Sequence, residues 1–190
     1  MLSAEQANAT LELIRTKLGS LIQNDGINLG IPFFVVKPED LPTIALILKE
    51  DVECKFCSLV DITACDYPER DPRFDVVYQF LSIPYKTRLT LKTRANLTVP
   101  TLTNLYQSAN FLEREVYDMF GIKFEGHKDL RRILLYEEFQ GHPLRKDYPV
   151  RGKQPRIPLR YPEVPNTSGD LSRVPLAEVY IEKINKKKQI

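Results

Sequence analysis

Seven of the chain's 14 prolines fall in the last 50 of its 190 residues: Pro143, Pro149, Pro155, Pro158, Pro162, Pro165 and Pro175. A proline lacks a backbone N–H and fixes its own φ, so this spacing forbids long helices and central strands there. Apolar residues in the stretch recur at no helical or strand period. Lys and Arg number 11 against 5 Asp and Glu in residues 141–190, whereas the first 140 residues hold 16 against 20. The sequence therefore predicts three parts: an N-terminal helical segment over 1–30, an α/β body over 31–140, and an extended basic C-terminal arm over 141–190. No internal repeat is legible.

Within the first two parts the periodicities change from segment to segment. Ser3 with Gln6 reads as a capping box, and Leu11, Ile14, Leu18 and Leu21 follow at helical spacing, with the helix ending before residue 27. Residues 32–37 read as a short strand and 40–50 as a helix with Pro42 in its first turn. Strands are expected over 52–63, 73–82 and 88–94, the last with Leu89 and Leu91 inward and Arg88, Thr90 and Lys92 outward. Thr98–Gln107 reads as a short helix capped by Thr98. A longer helix is expected over 110–121, with Asn110 and Glu113 as its capping box. It carries a stripe of Leu112, Val116 and Phe120 and a left-handed Gly121 at its end. The fold class is α+β: a mixed, mostly antiparallel sheet with helices on one face, followed by the Pro-rich arm.

Composition removes several function classes. A formal net charge of +2 demands neither nucleic acid nor a membrane surface. No apolar run approaches the roughly 20 residues of a membrane span. Residues 1–30 contain Glu5, Glu12 and Asp25 beside Arg15 and Lys17, unlike an acid-poor transit peptide, and they lack a secretory apolar core. The expectation is a chain made where it works or already processed. Three cysteines argue against a disulfide framework.

Candidate chemistry is sparse. Cys54-Lys-Phe-Cys57, with Cys65 nearby, could be a metal, iron–sulfur or thiol site. In a strand, however, residues three apart face opposite ways, and no second cysteine or histidine pair completes a set. Glu113, Glu115 and Asp118 could supply paired carboxylates. The plainer reading gives Glu113 a capping role and pairs Arg114 with Asp118 across one helical turn. His127, His142, Arg131, Arg132, Arg145 and Lys146 could mark a metal pair or an RNA patch. The histidines stand 15 residues apart without clustered acids, and neither an RNP-like aromatic motif nor a Gly-rich phosphate loop is present. Charges that pair with the body or with a partner are the simpler account. The Lys186–Lys188 run reads as a solvated end.

One stretch goes beyond composition. Residues 113–150 read EREVYDMFGIKFEGHKDLRRILLYEEFQGHPLRKDYPV. This closely resembles the signature of the 30-kDa-type subunit of respiratory complex I, the proton-pumping NADH:ubiquinone oxidoreductase. The shared pattern is E-R-E, an aromatic-Asp-hydrophobic-Phe-Gly-Ile run, G-H-x-D-L-R-R-I-L and G-H-P-L-R-K-D-aromatic-P. Residues 59–93 resemble the same family's strand region. Phe111 stands where the family usually has Trp, Lys128 where it has Pro, and the usual Gly-Tyr run after Tyr148 is missing.

The resemblance implies a non-catalytic subunit of the hydrophilic arm. Its chief partner would be the 49-kDa-type subunit, which with the PSST-type subunit forms the quinone site. It implies no cofactor in this chain, the FMN and iron–sulfur clusters belonging to the rest of the complex. It also implies no nucleic acid, no membrane span of its own, and a peripheral place on the matrix side of the mitochondrial inner membrane or the cytoplasmic side of a bacterial one. Glu113, Arg114, Glu115, Asp118, Arg131, Arg132, His142, Arg145, Lys146 and Asp147 become interface and loop-ordering candidates. The proline spacing and basic charge, independently of the resemblance, predict that residues 151–190 are an extended arm ordered on a neighbour. Three alternatives stay open: a related subunit of a membrane-bound hydrogenase or formate hydrogenlyase, a stand-alone RNA-binding module, and a small enzyme built on His142.

Overall fold

A computed structural model describes residues 4–155. The first helix, α1 (Ala4–Leu18), is followed by a 3-10 turn at Gly19–Leu21. The expected Ser3 cap lies outside the described residues. Strand β1 (Ile22–Asn28) follows at once and pairs antiparallel with β2 (Ile31–Val36). The helical reading of residues 22–26 is thus corrected. Gly19 takes φ +51 and stops the helix, and Gln23-Asn24-Asp25-Gly26 has too little helix propensity to restart it.

After α2 (Leu41–Glu50) come β3 (Ser58–Asp66), β4 (Phe74–Ser82) and β5 (Thr87–Ala95). They complete a five-stranded sheet in the order β1-β2-β5-β4-β3. Only the central β2–β5 pair is parallel, because α2 and the β3–β4 hairpin intervene. The expected strand start at residue 52 is wrong. Asp51 ends α2 and accepts hydrogen bonds from the N–H groups of Glu53 and Cys54, a side-chain-mimicked turn that delays the strand to Ser58.

A second, two-stranded element brackets the longest helix of the signature region. Strand β6 (Thr98–Pro100) runs parallel to β7 (Lys123–Glu125), with α3 (Ala109–Phe120) between them. This corrects the helix expected over 98–107. Val99 is fully buried and lies opposite Phe124 in the pairing, and Thr101 N–H donates to the Glu125 carbonyl at 2.9 Å.

One face of the large sheet carries the core. Phe34, Val36, Phe74, Val76, Tyr78, Phe80, Leu89 and Leu91 alternate inward against Ile14 and Leu18 of α1, Ile44 and Leu48 of α2, and Val116 and Phe120 of α3. The other face is half-exposed, as the sequence requires. Thr90 departs from it: expected outward and wet, it is buried by donating to the Gln79 carboxamide at 2.9 Å.

Ile44 is fully buried and Leu46, two residues on, is nearly half exposed. Ile44→Ala should therefore cost about 2–5 kcal/mol and Leu46→Ala under about 0.5 kcal/mol, read as shifts in the urea midpoint.

Candidate functional site

The signature residues converge on the C-terminal end of α3. Gly121 closes this helix in the left-handed region, at φ +75, and its N–H returns to the Tyr117 carbonyl. From Gly126 to Pro155 the chain forms neither helix nor strand. Its polar backbone groups must then be satisfied one by one, and the charged residues do much of this.

Asp118 is the hub. Its carboxylate is fully buried and accepts four hydrogen bonds: from Arg132 at 2.7 Å and from the N–H groups of Ile133, Leu134 and Leu135 at 3.1, 2.9 and 2.8 Å. Burial pushes its pKa up, but the Leu135, Arg132, Leu134 and Ile133 donors together outweigh burial and hold it below the usual carboxylate range. Arg132 reaches on to the Phe139 and Gly141 carbonyls. Arg114 does not pair with Asp118 as the helical spacing suggested. It donates to the Arg131 and Arg132 carbonyls, both at 3.1 Å, because Arg132 already occupies the carboxylate.

A second clasp joins residues 142–147 to the sheet. His142 donates from Nδ1 to the Asp118 carbonyl at 2.9 Å, since a carbonyl only accepts. Burial, with help from Arg145 and Arg132, lowers its pKa, so it is neutral at pH 7. Arg145 donates to the Phe120 carbonyl and lies over the Phe74 ring. Asp66 accepts two bonds from Arg73, at 2.6 and 2.7 Å, and one from the Lys146 N–H at 2.7 Å. Arg73 also holds the exposed Asp147 at 2.9 Å. Gly121 has to be glycine for a further reason: a Cβ there would sit 2.5 Å from Arg145 and 2.6 Å from His142.

Glu113 is no helix cap. It is fully buried and accepts from the Thr101 hydroxyl at 2.5 Å and the Leu102 N–H at 2.7 Å, tying the 101–103 loop to α3. Burial raises its pKa to about 7 against those two donors. With no exposure it can meet no substrate. Glu115 is exposed and outside the network. Arg131 is exposed and pairs locally with Asp129. The Lys146 side chain is exposed, so its contribution is its backbone. His127 uses both ring nitrogens on Asn110 and Asp129. Cys54 is buried in the turn after α2, while Cys57 and Cys65 are exposed. The turn, not strand alternation, separates Cys54 from Cys57. Among the described residues no group of three or more His, Cys, Asp or Glu could hold a metal.

Asp66, Arg73 and Thr101 were missed from sequence. Asp66 and Arg73 stand almost opposite one another across the β3–β4 hairpin, which is the signal that could have paired them.

The assembled residues match a known pattern. Residues 34–154 fit the family described as "Respiratory-chain NADH dehydrogenase, 30 Kd subunit". The chain belongs to this family. An NADH-quinone oxidoreductase subunit of Cereibacter sphaeroides is 45% identical over 80% of this chain and 75% of its own length. The mitochondrial NADH dehydrogenase [ubiquinone] iron-sulfur protein 3 of Candida albicans is 51% identical over 64% of this chain, and the match spans 44% of that protein. Among solved structures, a trypsin-resistant fragment (1–134) of Nqo5 is similar, with 37% identity and a TM-score of 0.53, covering 66% of this chain and 99% of the fragment. The archaeal membrane-bound sulfane sulfur reductase holds a chain of the same fold, with a TM-score of 0.62 and 24% identity over 75% of this chain and 85% of that one. No helix among the described residues is long and apolar enough to cross a membrane. In this 30-kDa subunit family member three signature charges, Glu113, Asp118 and Arg132, are turned inward and hold chain to chain.

Two outcomes test the network. Asp118→Ala should cost about 3–5 kcal/mol, the scale of breaking a buried ion pair, and should speed hydrogen exchange at Ile133, Leu134 and Leu135. The second concerns pH. Asp66 and Asp118 titrate below their ordinary range, so their stabilisation is full above that range and is lost as pH falls through their native values. Glu113 runs the other way. Its native value near 7 lies above the ordinary 4.5, so its contribution is full below 4.5 and is lost as pH rises through 7. Glu113→Gln should flatten the decline in urea midpoint between pH 4.5 and 7.5; an unchanged slope would place that proton elsewhere.

Proposed function

We propose that this chain is a non-catalytic scaffold subunit in the hydrophilic arm of an NADH:quinone oxidoreductase. It supports electron transfer by holding its neighbours, chiefly the 49-kDa-type subunit, through the 126–155 loop. The observation that carries this reading is a set of exposed apolar side chains on a loop held by inward-turned arginines. Its charges Arg132 and Arg145 are turned inward on α3, while Leu134, Leu144 and Val150 are left outward, at least half exposed. Between them Tyr136, Phe139 and Tyr148 form a ladder of rings 5.5 and 6.1 Å apart. Exposed leucines and an aromatic ladder on a firmly held loop, bordered by exposed charges such as Arg131 and Lys146, suit a subunit interface with an apolar, aromatic centre and a polar rim.

The chain binds no cofactor of its own in this reading. Cys54 is buried while Cys57 and Cys65 are exposed, and the two buried acids of α3, Glu113 and Asp118, are committed to hydrogen bonds. As a peripheral subunit it would sit on the matrix side in mitochondria or the cytoplasmic side in bacteria.

The double change Leu134→Asp with Leu144→Asp should leave the folding stability of the free chain within about 0.5 kcal/mol, as exposed substitutions do. Incorporation into the complex and NADH:quinone activity should fall together. A crosslinker placed at residue 144 should capture the 49-kDa-type subunit. Normal incorporation with lost turnover would point to chemistry in this chain. Metal analysis of the purified chain should return no stoichiometric iron or zinc, and Cys57→Ser should change nothing.

A further inference from the structure

The β1–β2 hairpin turns at Leu29-Gly30, a two-residue loop closed by the Asn28–Ile31 pair. Both loop residues have positive φ, +50 at Leu29 and +77 at Gly30. This is the mirror-image turn that matches strand twist, and its first position favours Asn, Asp or Gly because a Cβ is crowded there. Leucine has no side-chain hydrogen bond with which to offset that strain. It gains nothing from burial either, being 96% exposed. A Cβ built on Gly30 would meet nothing within 4 Å, so the tip stands clear of the body. One residue therefore carries a conformational cost and an exposure cost, with no offsetting contact among the described residues.

The rest of the hairpin is built as a support for that tip. Its base is fixed by the Arg15–Asp25 ion pair to α1, at 2.5 Å. Gly26 lets the Phe33 ring lie against the strand, since a Cβ there would be 2.9 Å from the ring. Ile27, 38% exposed, pairs with Pro32, and Ile31, half-buried, pairs with Asn28, so the two face opposite sides of the hairpin and Leu29 is the apolar residue at its tip. No charged residue occurs from Gly26 to Val36. The tip also precedes residue 34, where the family match begins.

We infer that Leu29, at the uncharged tip of this hairpin, is an anchor that inserts into an uncharged apolar pocket on a neighbouring protein subunit. This rests on the reading above that the chain works inside an assembly. Strain at an exposed apolar residue is explained when the tip's conformation presents that side chain to a receptor, as in a preformed anchor. The missing charges select the receptor. A phosphate backbone would need cations, and the hairpin has none. A bilayer surface would need Lys, Arg, Tyr or Trp at the headgroup level, and residues 22–36 contain none of these.

The test compares Leu29→Asn with the wild type. Asn suits the turn and removes the anchor. The full chain carrying Leu29→Asn should unfold at or above the wild-type temperature. Expressed together with differently tagged wild type, it should be recovered in the detergent-isolated complex at about one tenth of the wild-type share. Equal recovery overturns the proposal. A lowered unfolding temperature also overturns it, because Leu29 would then be packing within its own chain. Flotation of the wild-type chain, but not of Leu29→Asn, with phosphatidylcholine vesicles would replace the protein pocket with a lipid surface. Should wild type itself fail to copurify with other subunits, the assembly reading falls first and this proposal with it.

Discussion

The irregular loop depends on one buried carboxylate. Ordering a residue costs roughly 1–2 kcal/mol of backbone entropy, and residues 126–155 have no ladder of regular hydrogen bonds to offset it. Asp118 supplies an anionic acceptor for three successive N–H groups and for Arg132, which then gathers the carbonyls of Phe139 and Gly141. Charge-assisted hydrogen bonds are about twice as strong as neutral ones, so a single acid can hold a loop that apolar packing alone would leave loose. Its place on α3 matters equally. The helix is fixed by Val116 and Phe120 in the core, so the loop is referred to the sheet through a rigid element.

Two acids on the same helix, five residues apart, are tuned in opposite directions. Asp118 meets a guanidinium and three amides and stays ionised. Glu113 meets one hydroxyl and one amide in an apolar surround, and its proton becomes easier to keep. Counting donors explains the difference without any appeal to catalysis. A raised carboxyl pKa often marks a catalytic acid, but here the group lacks a cleft, and accessibility decides between the two meanings.

The sheet and α3 were legible in the sequence because their periods are clean: Leu89 and Leu91 alternate, Val116 and Phe120 recur by four, and Gly121 stands where a left-handed residue was needed. Other elements were hidden for local reasons. Strand β1 is polar and Gly-broken, at the sheet edge, so neither period shows. Thr98–Pro100 is too short to carry a pattern and forms only because Lys123–Glu125 lies beside it. The roles of Glu113 and Asp118 were misread because helical spacing proposes partners within the helix, while burial had already assigned them to Thr101 and Arg132. The residues of the site could be named from the signature; their partners could not, since each lies across a tertiary contact. The arm expected over 141–190 is described only to Pro155. Its first residues are bonded to the body by Lys146 and Asp147, and the remainder lies outside the described residues.

The outward leucines and inward arginines of the loop bear on assembly. A surface segment usually turns its charges to water and hides its apolar side chains, because burying a charge demands full compensation. Here Arg132 and Arg145 are compensated inside, by Asp118 and by carbonyls at the end of α3, and Leu134 and Leu144 face out. Were the chain to act alone, the same sequence with Arg and Leu exchanged would cost less in desolvation and expose less apolar surface. The observed order becomes favourable once a neighbouring protein covers the leucines. Rigidity from the buried ion pair then serves recognition, because a loop already held in its bound shape loses little entropy when its partner arrives.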